Sequence, residues 1–307
     1  MRDVTLLREA LPYIRKYKDS VFVIKIGGRL VEEQEALDAL ARDITLLHLI
    51  GIKVIIVHGG GSQATQLLQE LRHESKFVNG RRITDAPSLE AAKMVYGGKV
   101  NLEILSALRN SGARGVGLSG VDADLIVAKK REAVQVLNRE TGTYEEVDFG
   151  YVGDIVGVNV ALIEQLLAGG YVPVIACLGA DEEGNIFNIN ADTVAATIAA
   201  ELEADRFINV TNVRGIYRDI EDETSLISYV DAEEAQRLIE EGIVQQGMIP
   251  KVQSCLMAIE GGARRVSLID GTDPTALLTE VFTSEGHGTM IVGTSEKERY
   301  VSEELTT

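Results

Sequence analysis

The sequence predicts an α/β protein, a three-layer αβα sandwich around a mainly parallel central sheet, on three observations. Short apolar runs rich in β-formers recur along the chain: VFVIKI (21–26), KVIIVH (53–58), GVGLSG (115–120), YVPVIA (171–176), RFINVT (206–211) and RRVSLI (264–269). Their nearly unbroken apolar character marks strands buried on both faces, as parallel strands under helices are. Segments of helical period lie between them, seen in Leu37, Leu40, Ile44 and Leu47 and in the stretches 89–108, 194–202 and 232–239. Two strands also end in glycine and lead into helical segments, KIGG at 25–28 and HGGG at 58–61, the strand-turn-helix order of a sheet wound with helices on both faces.

The chain has 307 residues, 45% of them hydrophobic, enough to bury the core of two domains or of one large α/β unit. No repeat or flexible linker interrupts it. A boundary is expected at the loop GADEEG (179–184), which divides the chain into 1–20, 21–182 and 183–307. Between 125 and 152, LIVAKK, AVQVLN and EEVDFG around the turn-like NRETGT predict a hairpin excursion at the edge of the first half. A formal charge of −17 argues against nucleic acid, which needs a basic face to release counterions. A small anionic substrate remains compatible if a local basic pocket is built against the overall field; solvated helix faces also account for the acidity. No apolar run is long enough to span a bilayer, and the first twenty residues are too charged for a secretory signal, so a cytoplasmic location away from membranes is expected. Cys177 and Cys255 have no CxxC or histidine company and read as reduced packing residues, not as metal ligands or a disulfide.

Lys25 poses the sharpest question, because an ammonium at the end of a buried strand must snorkel outward, shift its pKa or meet an anion. Gly27, Gly28, Gly60 and Gly61 would let backbone N–H groups approach phosphate oxygens at helix N-termini, although such glycines also make ordinary tight turns. GGGSQA fits the dinucleotide pattern G-x-G-x-x-A as well, but no strand with an acidic residue follows at the right distance; Asp85 sits in the polar stretch GRRITDAP. In NINADT (188–193), Asp192 occupies the place of an ordinary N-cap, while Asn188 and Asn190 on an extended segment would turn both amides to one side. GMIPK (247–251) opens a helix with Pro250 at its first position. Lys251 then opposes the helix dipole, unless it shares an anion with the helix end or is simply exposed. His48 and His73 read as structural residues on helical segments, and His58 as a support for its loop.

Taken in order, KIGG, HGGG, GLSG, NINAD and GMIPK, together with RRITD (81–85), MVYGGKVN (94–101), DFGYVGDI (148–155) and EVFTSEGHGTMI (280–291), resemble the amino acid kinase superfamily. Within it the acetylglutamate kinases are most similar, over nearly the whole chain. The resemblance implies an amino acid kinase-like fold with an acylamino-acid-binding and dimerisation lobe at 21–182 and a nucleotide-binding lobe at 183–307. It implies phosphoryl transfer from ATP, with Mg2+ carried by the nucleotide and no protein-held metal, to the side-chain carboxylate of N-acetyl-L-glutamate, an arginine-biosynthesis step. Lys25 would then lie against the migrating phosphoryl group, Lys251 at the leaving ADP, and Asp192 between them. Gly60, Gly61, Arg82, Asn188 and Asn190 would serve the acylated amino acid, and Gly27, Gly28, Thr211, Asn212 and Gly215 the nucleotide. A carboxylate acceptor is already ionised at neutral pH, so no general base is required.

The segment LLREALPYIRKY resembles the N-terminal helix through which arginine-inhibited members interlace dimers into hexamers. Leu6, Leu7, Ala10, Leu11 and Ile14 form an apolar stripe there, with a kink expected at Pro12; a terminal helix packed on its own core has the same pattern. Tyr13, Glu280 and Gly288 are the implied arginine-effector residues, and a homodimer or homohexamer the implied assembly. Three positions depart from the family pattern: Ser62 replaces a frequent proline, Asn212 an aspartate near the nucleotide, and Thr275 a histidine common in arginine-inhibited members. A kinase for an aminoadipate-type derivative and a non-catalytic arginine-sensing domain are the other readings. The joint presence of Lys25, Asp192 and Lys251 favours a kinase.

Overall fold

The computed structural model describes residues 2–137 and 142–294, with side chains from residue 10 onward in the first helix. Two sheets are built from β1 (Val21–Ile26), β2 (Lys53–His58), β3 (Gly115–Ser119), β4 (Ile126–Lys130), β5 (Gly153–Val158), β6 (Val172–Ala176), β7 (Leu178–Ala180), β8 (Ile186–Asn188), β9 (Arg206–Thr211), β10 (Tyr229–Asp231), β11 (Arg265–Asp270) and β12 (Thr289–Val292). The larger sheet has the order β10-β12-β11-β9-β1-β2-β6-β3 and is parallel except where β11 meets β12. Its central strands are buried along almost their whole length, as continuous apolar runs require. The smaller sheet, β8-β7-β4-β5, lies beyond the carboxyl end of β6 and is mixed.

The helices are α1 (Arg2–Tyr17), α2 (Gly28–Glu32), α3 (Gln34–Leu49), α4 (Gly61–Glu70), α5 (Ala86–Met94), α6 (Asn101–Ser111), α7 (Val160–Ala168), α8 (Ala191–Glu201), α9 (Ala232–Glu240), α10 (Ile249–Glu260) and α11 (Ala276–Phe282). In α3 the expected stripe of Leu37, Leu40, Ile44 and Leu47 is buried. The stretch expected as a helix over 89–108 joins α5 to α6 through a π-helical turn, Val95–Val100. Such turns widen a helix locally and tend to occur beside functional sites; this one places Tyr96 in the cleft described below.

The expected boundary at 182/183 falls inside the loop of a hairpin, because β8 pairs back onto β7. The chain leaves the smaller sheet only at Asn188, immediately before α8. The loop was legible in the sequence, but the pairing that closes over it depends on strands too short to carry a pattern. The excursion over 125–152 forms as an antiparallel ribbon, Val134–Leu137 with Tyr144–Val147, while part of the expected turn NRETGT lies outside the described residues.

At the N-terminus, α1 runs through Pro12 and rests on its own chain. Tyr17 is buried edge-on against Phe22, and Tyr13 meets Phe282 of α11. Leu6 and Leu7 of the expected stripe lie outside the residues whose side chains are described, and Leu11 is exposed. The Tyr17 hydroxyl accepts from Arg206 Nη2 at 2.8 Å, and the same guanidinium pairs with Glu280 at 3.3 Å. Both partners are buried. Removing one member of a buried pair strands the other charge, so Glu280→Ala is expected to destabilise the fold by about 3–5 kcal/mol. Urea unfolding checks this, and replacing both residues by apolar side chains (Arg206→Met with Glu280→Leu) is expected to recover much of the loss.

Candidate active site

Lys25 stands one residue before the end of β1, where the flanking strands β2 and β9 also finish and neighbouring loops diverge. In a parallel sheet this carboxyl edge is the natural ligand crevice. Lys25 is only 6% exposed, and its Nζ lies 2.8 Å from Asp192 Oδ1. The sequence left Asp192 open as an N-cap; the cap is Asn190, whose side-chain oxygen accepts from the backbone N–H groups of Asp192 and Thr193. Capping by Asn190 frees Asp192, in the first turn of α8, to face the strand ends. Lys251 arrives from the first turn of α10 with Nζ 3.4 Å from Asp192 Oδ2. Pro250 is the second residue of that helix, one place later than expected.

Burial alone would raise the Asp192 pKa, but the Lys25 and Lys251 cations, with hydrogen bonds from Lys25 and Asn209, outweigh it and hold the carboxyl at about 2. Lys251 is pushed below the ordinary lysine value by burial first and the Lys25 cation second, against the pull of Asp192. One carboxylate thus serves two ammonium groups, and the cluster keeps an excess positive charge with little water to screen it.

Loops and helix starts enclose a cavity of about 660 Å³ over this cluster. Lys25, Arg29, Arg81, Arg82 and Arg131 line it, with Asp192 as the one lining carboxylate among the described residues. This is a basic pocket within a strongly acidic chain. Arg82 donates to Gly61 O at 2.8 Å, Thr65 Oγ1 at 2.5 Å and Ser75 Oγ at 2.7 Å, and lies over the Phe77 ring. Asn188 and Asn190 both line the cavity, as their spacing implied, but Asn190 Oδ1 is spent on the cap and Asn188 donates to Thr84 Oγ1. Gly27, Gly28, Gly60 and Gly61 form its floor. A Cβ on Gly60 would sit 2.7 Å from the Tyr96 ring, so close packing requires glycine there. Gln63 ties the two loops together through a 2.7 Å hydrogen bond from Nε2 to Gly28 O.

Thr211 and Asn212 stand at the carboxyl end of β9, one strand from Lys25, and neither lines this cavity. Gly215 is packed against Thr289. His58 is buried, its Nδ1 3.0 Å from Gly59 O and its Nε2 3.0 Å from Asn101 Nδ2; burial lowers its pKa to about 4, so the ring is neutral and supports the loop. His73 is not helical: it follows α4 in a loop and lies 2.9 Å from Asp85, which caps α5. Periodicity ran past the true end of α4 because His73 follows an amphipathic stretch.

Around Glu280, Oε1 accepts from Arg206 and Ser267, and Oε2 from the backbone N–H groups of His287 and Gly288. With four donors and 1% exposure, this carboxylate has no oxygen left for an outside guanidinium in this conformation. Tyr13 meets Phe282 two residues beyond Glu280, and Gly288 is bound to Glu280 itself. The three expected effector residues thus share one region whose acidic group is already occupied by an arginine of the chain.

Gln63, Tyr96, Arg131 and Asn209 were not singled out from the sequence. Of these Asn209 carried a usable signal, a polar residue inside the apolar run RFINVT, as Lys25 is in VFVIKI. Arg131, held by Asp154 at 2.6 Å, reaches the cavity only through the fold of the smaller sheet.

Because the Asp192 pKa falls from 3.8 to about 2 on folding, its ionisation contributes about 2 kcal/mol of stability. That contribution is complete above the unfolded value and lost as pH falls through the folded one. The stability difference between the protein and Asp192→Asn, measured by urea unfolding, is therefore expected to change between pH 4 and pH 2 and to be flat above that window.

Residues 20–270 match the model of the amino acid kinase family. The chain is similar to the acetylglutamate kinase of Desulforamulus reducens, 44% identical over 287 residues that cover 94% of this chain and 96% of that one. It is 45% identical, with the same coverage of both chains, to the acetylglutamate kinase of Symbiobacterium thermophilum. Among solved structures, N-acetylglutamate synthase from Neisseria gonorrhoeae, complexed with coenzyme A and N-acetyl-glutamate, aligns with a TM-score of 0.80 at 30% identity. That alignment covers 94% of this chain and 63% of the synthase chain, so this chain spans under two thirds of the synthase's length. Giardia carbamate kinase, at 14% identity and a TM-score of 0.64 over 89% of this chain and 99% of its own, shares the fold. The family match over most of the chain, the two relatives aligned across nearly all of it and the common fold lead to one conclusion: this chain belongs to the amino acid kinase family.

Proposed function

We propose that this chain transfers the terminal phosphoryl group of ATP to the side-chain carboxylate of N-acetyl-L-glutamate, a step of arginine biosynthesis. The observation that carries the reading is the excess of positive charge made by the buried Lys25 and the half-buried Lys251 around Asp192, set beneath a basic cavity. The similarity to acetylglutamate kinases supports the choice of acceptor.

In the reaction a carboxylate oxygen of the acceptor bonds to the γ-phosphorus, and the bond to the β–γ bridging oxygen breaks with its electron pair leaving on ADP. The acceptor is ionised at neutral pH, so no proton has to be removed and no base is needed. The work left to the protein is alignment and stabilisation of charge. Lys25 meets the migrating group, Lys251 the charge that grows on ADP, and Asp192 keeps both cations in register. The first turn of α4 leaves N–H groups without helical partners, suited to anionic oxygens, and Arg82 offers the acceptor's carboxylate a guanidinium already fixed by Gly61, Thr65 and Ser75. Thr211, Asn212 and Gly215 are assigned to the nucleotide, on the neighbouring strand end. Among the described residues no three His, Cys, Asp or Glu side chains converge as a metal cage. The magnesium ion is assigned to the nucleotide's phosphates. No helix among those residues is long and apolar enough to cross a membrane.

A coupled ADP or hydroxamate assay across acetylglutamate, acetylaminoadipate and free glutamate tests the reading. Acyl phosphate with acetylglutamate is expected; product only with the longer homologue would move the assignment to that substrate, and none with any of the three would overturn it. Lys251→Ala is expected to lower kcat by roughly 100-fold or more while the KM for acetylglutamate stays within a few-fold, since leaving-group stabilisation acts in the transition state. Arginine sensing through Tyr13, Glu280 and Gly288 would require Glu280 to release Arg206, and activity titrated to millimolar arginine is expected to stay flat.

A further inference from the structure

We infer that Asn209 is a positioning residue for phosphoryl transfer, holding Asp192 in the orientation from which it organises the two lysines. The inference rests on the reading above and adds a residue to it. Asn209 lies on β9 directly across the ladder from Lys25 on β1, so the two side chains project to the same face of the sheet. Its Nδ2 donates to Asp192 Oδ1 at 3.0 Å, the oxygen that Lys25 also engages at 2.8 Å, while Lys251 takes Oδ2. Lys25 and Lys251 end long flexible chains whose ammonium groups rotate freely, whereas the amide of Asn209 is short, fully buried and fixed by the sheet. Of the side chains on Asp192, it is the one whose direction the backbone largely sets.

A second observation points the same way. Among the described residues the Oδ1 of Asn209 is buried with no hydrogen-bond partner. An asparagine placed only for packing would be poorly chosen, because leucine fills similar space without leaving a carbonyl unsatisfied. Its presence is accounted for by what its other end does, which is to fix a carboxylate between two cations.

The test compares Asn209→Leu with the unsubstituted protein, alone and combined with Asp192→Ala. Asn209→Leu is expected to lower kcat roughly tenfold, the scale of one hydrogen bond to a charged group, with KM for ATP and acetylglutamate changed less than twofold. In the Asp192→Ala background it is expected to cost less than a further twofold, because the group it orients is gone. An unchanged kcat, a rise in KM that matches the fall in kcat, or an equal loss in both backgrounds would overturn the inference. Asn209→Ala replaces the leucine variant if that one does not fold. A parallel cycle in urea unfolding midpoints reads the contact without substrate: the loss caused by Asn209→Leu is expected to shrink once Asp192 is absent, and an equal loss overturns the contact. Acyl-phosphate formation by the unsubstituted protein tests the functional reading separately, so that if none appears the unfolding cycle still decides whether Asn209 holds Asp192.

Discussion

One buried and one half-buried ammonium group share a single carboxylate, and much of the site makes sense as a means of keeping that unequal cluster in place. Removing ions from water is costly unless each is paired, and Lys25, Asp192 and Lys251 are only partly balanced. The remaining charge is tolerable in a site that receives an anion. Around it the chain, acidic overall, concentrates arginines at one cavity. Ligand recognition here is therefore local: the net charge describes the surface, and the pocket opposes it.

The fold supplies the three charges from separate places. Lys25 comes from the central strand β1, Asp192 from the start of α8 and Lys251 from the start of α10. They converge because a parallel sheet brings its strand ends and the following helix starts to one edge. Local chemistry refines that convergence. Asn190 takes the capping role and releases Asp192, Gln63 binds one glycine loop to the other, and Tyr96, turned inward by a π-helical turn, packs so closely on Gly60 that only hydrogen fits. At the opposite end of β9, Arg206 shows a different solution to buried charge, in which Glu280 is saturated by donors of the chain itself.

Much of this was legible before any coordinates. The six apolar runs appear as strands within a residue or so of their expected limits, because a strand buried on both faces must be written in apolar residues. The glycine turns and the lone Lys25 were visible as breaks in that rule. The register of the short pair β7 and β8 was not, since three-residue strands carry too little periodicity to announce their partner. The sequence does not show that His73 lies beyond the helix ending at Glu70, because an amphipathic stretch does not mark its own last turn. Asp192 and Asn190 each fit the start of a helix, and only the hydrogen bonds of the folded chain distinguish the capping residue from the one that faces the strand ends.

By itself the sequence determined the layered α/β class, the strand ends at which ligands gather, and the residue types that could meet phosphate, because hydrophobic period and glycine placement are local properties of the chain. Tertiary structure alone decided which charges meet. Lys25, Asp192 and Lys251 are separated by scores of residues, Arg131 reaches the pocket through a second sheet, and Arg206 finds Glu280 across the core. Electrostatic contacts fall off with distance in space, not along the chain, and so they became readable only once the packing had brought the segments together.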